Sequence, residues 1–338
     1  MTPVNTQCRL GARPAGLPKA TDWTIIEKAI PAAADGEFVV EIDYLSVDPA
    51  MRTWMNDGRS YVPPVDIGEV MRAFAVGHVV ESRHREFAFG DQVSGLFGVQ
   101  RYAASNGAGV NKIDTTLAPA TTHLAALGIN GLTAYFGLLD LGRPEPGQTV
   151  LVSGAAGSVG NIVGQIAKIK GCRAVGIAGG EQKCRWLIEE VGFDAAIDYK
   201  TAGLRAQLKT RAPDRINVFF DNVGGEALEA ALNRLARGAR IVLCGAVSQY
   251  NDTPKGPANY MQLLVARASM TGFVVFDYLA RYPEGIAQLA KWLNTGQLRS
   301  HEHIEYGDVS DFPETLLKLF RGENTGKLIL ALNEPLPR

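Results

Sequence analysis

The stretch Thr149-Val150-Leu151-Val152, followed by Ser153-Gly154-Ala155-Ala156-Gly157-Ser158-Val159-Gly160, constrains this chain more than any other. A short apolar run ends at a glycine-rich turn. Val159, Ile162, Val163, Ile166 and Ile169 then recur at helical spacing. The pieces read as strand, tight turn and helix. Aligned on Ala155, Gly157 and Gly160, the turn has the pattern A-x-G-x-x-G. Gly157 would let a ligand approach the backbone, and Gly160 would let the helix pack closely on the strand. The N–H groups that open such a helix, at Ser158, Val159 and Gly160, lack partners inside it and favour an anion. The same string also serves as a plain strand-to-helix turn, so the downstream residues decide its meaning.

Five further apolar runs lie beyond it: Ala174 to Ala178, Ala195 to Ile197, Val218 to Phe220, Ile241 to Cys244 and Met270 to Val275. Helix-like segments lie between them, including Glu181 to Val191, Glu226 to Leu235 and Tyr260 to Ala268. This alternation implies a parallel sheet covered on both faces. Six strands with their crossovers match a complete doubly wound dinucleotide-binding domain of α/β class, with a pyrophosphate at Gly157–Gly160.

Sites specific for NAD place an acid at the tip of the second strand, where it bonds the ribose 2′-hydroxyl. Here that strand ends Ile177-Ala178-Gly179-Gly180, with no acid at its tip. Lys183 and Arg185 follow Glu181, and Tyr199 follows the third strand. A 2′-phosphate needs cationic and hydroxyl partners, so the expected cofactor is NADPH/NADP+. The alternative is a solvated helix face, with Lys183 and Arg185 paired to Glu189.

The first 120 or so residues read as β-rich, with strand candidates at Phe38 to Tyr44, within Val70 to Ser82, and at Gln92 to Phe97. Asp57-Gly58 and Pro63-Pro64 mark loop. A small barrel with long connections fits this pattern. Beyond the sixth strand come a helix candidate at Ile286 to Leu293 and a helix–strand pair, Glu314 to Phe320 and Lys327 to Leu332.

With 338 residues, 34 Lys plus Arg and 35 Asp plus Glu, the chain is long enough for about two domains. It carries no positive field for nucleic acid or an acidic membrane. No run approaches the ~20 apolar residues of a membrane span. Cys8, Cys172, Cys184 and Cys244 form no C-x-x-C pair or disulfide framework. Free thiols and the lack of an apolar leader place the expected protein in the cytoplasm.

The chain resembles the zinc-independent medium-chain dehydrogenases/reductases, the group of leukotriene B4 dehydrogenase/prostaglandin reductases and alkenal and curcumin double-bond reductases. The stretches that carry the likeness include Asp48-Pro49-Ala50-Met51-Arg52, Tyr61, Gly131-Leu132-Thr133-Ala134-Tyr135 and Gly154 to Gly160. Others are Asp198-Tyr199-Lys200, Phe220-Asp221-Asn222-Val223-Gly224-Gly225, Cys244-Gly245, Tyr250-Asn251 and Gly322 to Lys327. The resemblance implies a GroES-like β-barrel catalytic domain over residues 1–126, completed by 305–338. It implies a Rossmann NADPH-binding domain over 127–304, with the active site in a cleft between the two. By the same likeness Lys183 and Tyr199 bind the 2′-phosphate. Thr133, Asn222, Cys244, Gly245, Tyr250 and Asn324 contact the cofactor, and Phe273 lies near the nicotinamide. Met51 and Tyr61 belong to the substrate pocket, and members commonly form homodimers. Relatives often carry Tyr in place of Ala50, a departure that bears on pocket shape.

No metal is expected. The four-Cys lobe of zinc-dependent relatives is absent, and alignment of Val79-Val80-Glu81 moves His78 out of the ligand position, to which Phe74 falls nearest. His301 and His303 lack a partner at recognisable spacing. Without a Lewis acid, hydride addition to a conjugated enal or enone is the accessible chemistry, because the growing enolate needs only hydrogen-bond donors. Tyr250 is the candidate catalytic donor and Tyr61 a second; each also reads as a cleft wall. Three functions stay open: an alkenal/enone reductase, an NADPH:quinone reductase, and a non-enzymatic NADPH-binding protein.

Overall fold

A strand buried on both faces of a sheet is mainly apolar, and Thr149–Ser153 is buried at every position around its Val150-Leu151-Val152 centre. This is β1 of a six-stranded parallel sheet in the computed structural model, which describes residues 3–332. The others are β2 (Arg173–Ala178), β3 (Ala195–Asp198), β4 (Ile216–Asp221), β5 (Leu235–Leu243) and β6 (Ser269–Gly272). Their spatial order is β3-β2-β1-β4-β5-β6, the doubly wound arrangement, with its switch point between β1 and β4.

The crossovers include α1 (Ser158–Ile169), α2 (Glu181–Trp186), α3 (Leu204–Arg211), α4 (Gly225–Leu232) and α5 (Gln262–Ala266). Two apolar clusters cover the faces of the sheet. One holds Val150, Val152, Ile162, Ile166 and Phe220, the other Leu151, Val175, Ile197, Phe219 and Ile241. Alternate residues of β1 thus enter opposite cores, as the period of two requires. The expected strand at Met270–Val275 stops at Gly272, and Val275–Arg281 is helical. The expected helix through Leu235 stops at Leu232, because Leu235 already begins β5.

The chain divides into two compact units, Met1–Leu124 with Glu302–Arg338, and Ala125–His301. Residues 1–2 and 333–338, at the ends of the expected first domain, lie outside the described residues. In the first unit Phe38–Ser46 is central. It pairs antiparallel with Ala75–Ser82, Tyr102–Ser105 and Lys327–Ala331. Glu302–Tyr306 runs parallel to Lys327–Ala331. A separate ribbon pairs Asn5–Leu10 with Trp23–Lys28. Among the described residues no helix is long and apolar enough to cross a membrane.

Candidate functional site

The turn between β1 and α1 is shaped by close backbone approach. Gly154 takes φ 58°, a left-handed conformation that favours glycine. A Cβ on Gly160 would meet the Gly154 carbonyl oxygen at 2.3 Å and Ala155 Cα at 2.8 Å. A Cβ on Gly157 would meet only the Gly154 oxygen, at 3.2 Å, a tight but single contact. No side chain caps the start of α1. The Ser158 hydroxyl there is buried and makes no hydrogen bond. An uncapped helix start and an idle hydroxyl fit a pyrophosphate.

At the tip of β2 the structure separates the two cations that follow Glu181. Arg185 bonds Glu181 at 2.7 Å on the exposed face of α2, rather than Glu189. Lys183 is half-buried, and burial together with the Lys200 charge lowers its pKa. Tyr199 and Lys200 close over the glycine turn: a Cβ on Gly179 would lie 2.9 Å from the Tyr199 hydroxyl and 3.0 Å from Lys200 Cε. Asp198 Oδ1 holds the turn by accepting from Gly180 N–H at 2.8 Å and Lys200 N–H at 2.9 Å. Two ammonium groups and a phenol thus converge on one turn. Lys200 was missed in the sequence, although it stands beside Tyr199; among the described residues it forms no ion pair.

The ends of β4 and β5 carry the next group. Asn222 donates from its side chain to the Ser153 carbonyl at 2.7 Å, which ties β4 to the phosphate turn. Cys244 N–H and Gly245 N–H both donate to the Asp221 carbonyl, at 2.9 and 3.1 Å. Burial pushes the Cys244 thiol up to about 12, so it is no thiolate nucleophile at neutral pH. Tyr250 follows the helical turn Val247–Gln249, and its hydroxyl accepts from Ala246 N–H at 3.3 Å. Phe273 packs edge-on against Phe220 and Tyr278, both at 6.4 Å. The Thr133 hydroxyl donates to Ile129 O, one helical turn earlier, at 2.7 Å.

The remaining expected residues belong to the first unit. Met51 is fully buried in its core. Tyr61 is half-exposed, and its hydroxyl accepts from Trp54 Nε1 at 3.3 Å. Asn324 is buried and donates to Gly326 O at 2.9 Å, closing its own turn.

Comparison with known proteins places this geometry. A family described as the N-terminal domain of oxidoreductase matches residues 6–113, and one described as zinc-binding dehydrogenase matches residues 158–292. The NADPH-dependent curcumin reductase of Escherichia coli is 39% identical, over 97% of this chain and 97% of its own length. The NADP(+)-dependent 2-alkenal reductase of Nicotiana tabacum is 36% identical, over 97% and 98%. The crystal structure of CurA from Vibrio vulnificus in complex with NADPH is 41% identical, with TM-score 0.93, over 98% of this chain and all of that one.

The zinc of the second family description does not fit here. Among the described residues no three His, Cys, Asp or Glu side chains cluster to hold a metal. His78 bonds Asp43 at 3.1 Å, His303 bonds Glu305 at 2.9 Å, and His301 packs on Trp186. The likeness across nearly the whole length, with the phosphate turn and strand order behind it, means that this chain is an oxidoreductase belonging to the medium-chain dehydrogenase/reductase family, in the group of the curcumin and 2-alkenal reductases.

Proposed function

We propose that this enzyme uses NADPH to reduce the conjugated C=C bond of α,β-unsaturated aldehydes or ketones. The observation that carries the reading is the second unit's arrangement: an uncapped phosphate turn, two lysines and a phenol at the tip of β2, and the Tyr250 phenol beyond β5. The names of the curcumin and 2-alkenal reductases support it. We assign the GroES-like catalytic role to the first unit and the NADPH-binding role to the second.

The residues present fit the cofactor. Gly157, Ser158, Val159 and Gly160 would hold the pyrophosphate; Lys183, Tyr199 and Lys200 would hold the 2′-phosphate. Thr133, Asn222, Cys244, Gly245, Phe273 and Asn324 would complete its contacts. When bound, NADPH supplies a hydride. The β-carbon of the substrate would accept it as the C=C electron pair moves toward the carbonyl oxygen, and the α-carbon would take a proton from Tyr250 or from water. The chain's task is to stabilise that oxygen without a metal. A phenol is a neutral donor at pH 7 and bonds an enolate more strongly than a carbonyl, which lowers the barrier. The Tyr250 hydroxyl accepts from Ala246 N–H, which fixes where the phenol sits. Tyr61 would wall the pocket, and Met51 lies in the core of the same unit.

The test is NADPH oxidation by the purified protein with 2-hexenal, an enone and a benzoquinone. Turnover with enal and enone supports the reading. Turnover with the quinone alone overturns it in favour of a quinone reductase, and tight NADPH binding without turnover points to a non-enzymatic role.

A homodimer is part of the proposal. Among the described residues β6 pairs only with β5, and in the segment leading into it Tyr260, Met261, Leu264 and Val265 are exposed. An open edge flanked by apolar side chains suits a second copy. Sedimentation as a monomer at micromolar concentration would remove this part. Four free thiols suit the reducing cytoplasm, to which we assign the protein.

A further inference from the structure

Side chains join β1 and β4 where the sheet changes direction. Ser153 Oγ donates to Asp221 Oδ1 at 2.6 Å. The same oxygen accepts from Val223 N–H and Gly224 N–H, each at 3.0 Å. Ser153 Oγ in turn accepts from Asn222 N–H at 2.8 Å. The Asp221 carbonyl accepts from Cys244 and Gly245 N–H. Asp221 has no solvent exposure, and among the described residues its Oδ2 has no hydrogen-bond partner.

We propose that Asp221 is the positioning residue of the cofactor crevice: one buried carboxyl sets the phosphate turn and the Asn222–Gly224 turn in register, while the main-chain carbonyl of the same residue holds the strand end carrying Gly245. The inference rests on the NADPH reading above. Three donors converge on a single oxygen where no water reaches, so an apolar side chain would orphan all three. The Ser153 bond spans the switch point, where the chains leaving β1 and β4 run to opposite faces of the sheet and share no crossover. Without that bond, the Asn222 bonds to Ser153 and main-chain pairing would be left to hold the two loops at their relative height. Burial raises the pKa of the carboxyl, against the bonds from Ser153, Gly224 and Val223. Because Oδ2 accepts nothing, an amide nitrogen in its place forfeits no bond.

The experiment compares Asp221→Asn, Asp221→Ala and Ser153→Ala in the full chain. NADPH affinity is read by fluorescence, KM for NADPH and for 2-hexenal by steady-state assay, and folding by thermal unfolding. Asp221→Ala is expected to raise the NADPH Kd and KM about tenfold or more, with the enal KM at saturating NADPH little changed. Asp221→Asn should restore NADPH affinity to within about threefold of the parent. Ser153→Ala should fall between, and it carries the test if Asp221→Ala does not fold. A folded Asp221→Ala or Ser153→Ala protein with parental NADPH affinity overturns the inference. So does an Asp221→Asn protein as weak as Asp221→Ala, or an equal rise in both KM values. Failure of the parent protein to bind NADPH instead removes the reading beneath it.

Discussion

The Tyr250 hydroxyl occupies the space that a side chain at Gly245 would need: a Cβ there would lie 2.8 Å from the phenolic oxygen. The glycine therefore sets where the phenol rests. Tyr250→Phe removes only the hydroxyl, and kcat with an enal should fall about 100-fold if this is the principal donor to the enolate. Gly245→Ala should lower kcat as well, by pushing the ring aside while keeping the hydroxyl. A primary deuterium isotope effect must show that hydride transfer limits the rate. An unchanged kcat under that condition would leave Tyr250 as a wall of the pocket.

Preference for NADPH over NADH is assigned to Lys183, Tyr199 and Lys200. Lys183→Ala should weaken NADPH binding by about 1.5–3 kcal/mol and leave NADH binding nearly unchanged. Lys200→Ala should have a smaller effect, because an exposed ammonium is screened by water. Calorimetric titration with both cofactors measures this, and equal losses for the two would remove the assignment.

The same corner has a pH signature. Lys183 must be protonated to bind a phosphate dianion, and burial with the Lys200 charge lowers its pKa. As pH rises toward that depressed value, NADPH affinity should weaken more than NADH affinity. A bound phosphate pulls the pKa back up, so NADPH binding in this range should take up protons. Calorimetry in buffers of different ionisation enthalpy reads the uptake, and Lys183→Ala should abolish it.

Gly157 and Gly160 should fail in different ways. Gly160→Ala drives a methyl into the backbone at Gly154 and Ala155, and should cost about 1–3 kcal/mol of stability. Gly157 has ordinary extended backbone angles, and its Cβ would meet one backbone oxygen at 3.2 Å, so Gly157→Ala should cost less stability than Gly160→Ala, about 1 kcal/mol or less. It should nonetheless lose NADPH affinity, because the methyl fills ligand space. Chemical denaturation with parallel binding measurements tests the contrast. Parental binding by Gly157→Ala would move the pyrophosphate elsewhere.

Lys327 is buried and donates to the Val47 carbonyl at 2.9 Å and Asp48 Oδ1 at 2.7 Å. Lys327→Met leaves a buried carboxylate without its cation and should destabilise the chain by about 3–5 kcal/mol. Adding Asp48→Asn should recover part of that loss. Denaturant unfolding of the two variants checks both expectations.

The strands of the second unit were legible because doubly covered strands are mainly apolar, and such runs stand out between glycines. Their ends were not. β5 begins at Leu235, but the exposed Arg237 and Gly238 interrupt the run, so the pattern registered only from Ile241. Trp23–Lys28 was missed because it is largely exposed and barely alternates. Lys183 and Arg185 looked equivalent in the sequence, yet residues two apart face opposite sides of a helix. The fold turned one toward Lys200 and the other toward Glu181. Asp221 stood within a recognised stretch, but nothing local marks a carboxyl that will gather three donors from two turns.

Lys327–Ala331 lies inside its sheet, between Glu302–Tyr306 and Phe38–Ser46, and is buried along its whole length. A nascent chain therefore cannot finish the first unit when its first 124 residues emerge. Tyr102–Ser105 pairs with Phe38–Glu41 early, but Tyr44–Ser46 waits for its partner while roughly two hundred further residues are made, on the order of 10–40 s at typical elongation rates. The second unit, continuous in the chain, has all its strands in hand before then. The half of the protein translated first is thus the last to be completed, and its open apolar edge is the surface a chaperone at the ribosome would meet.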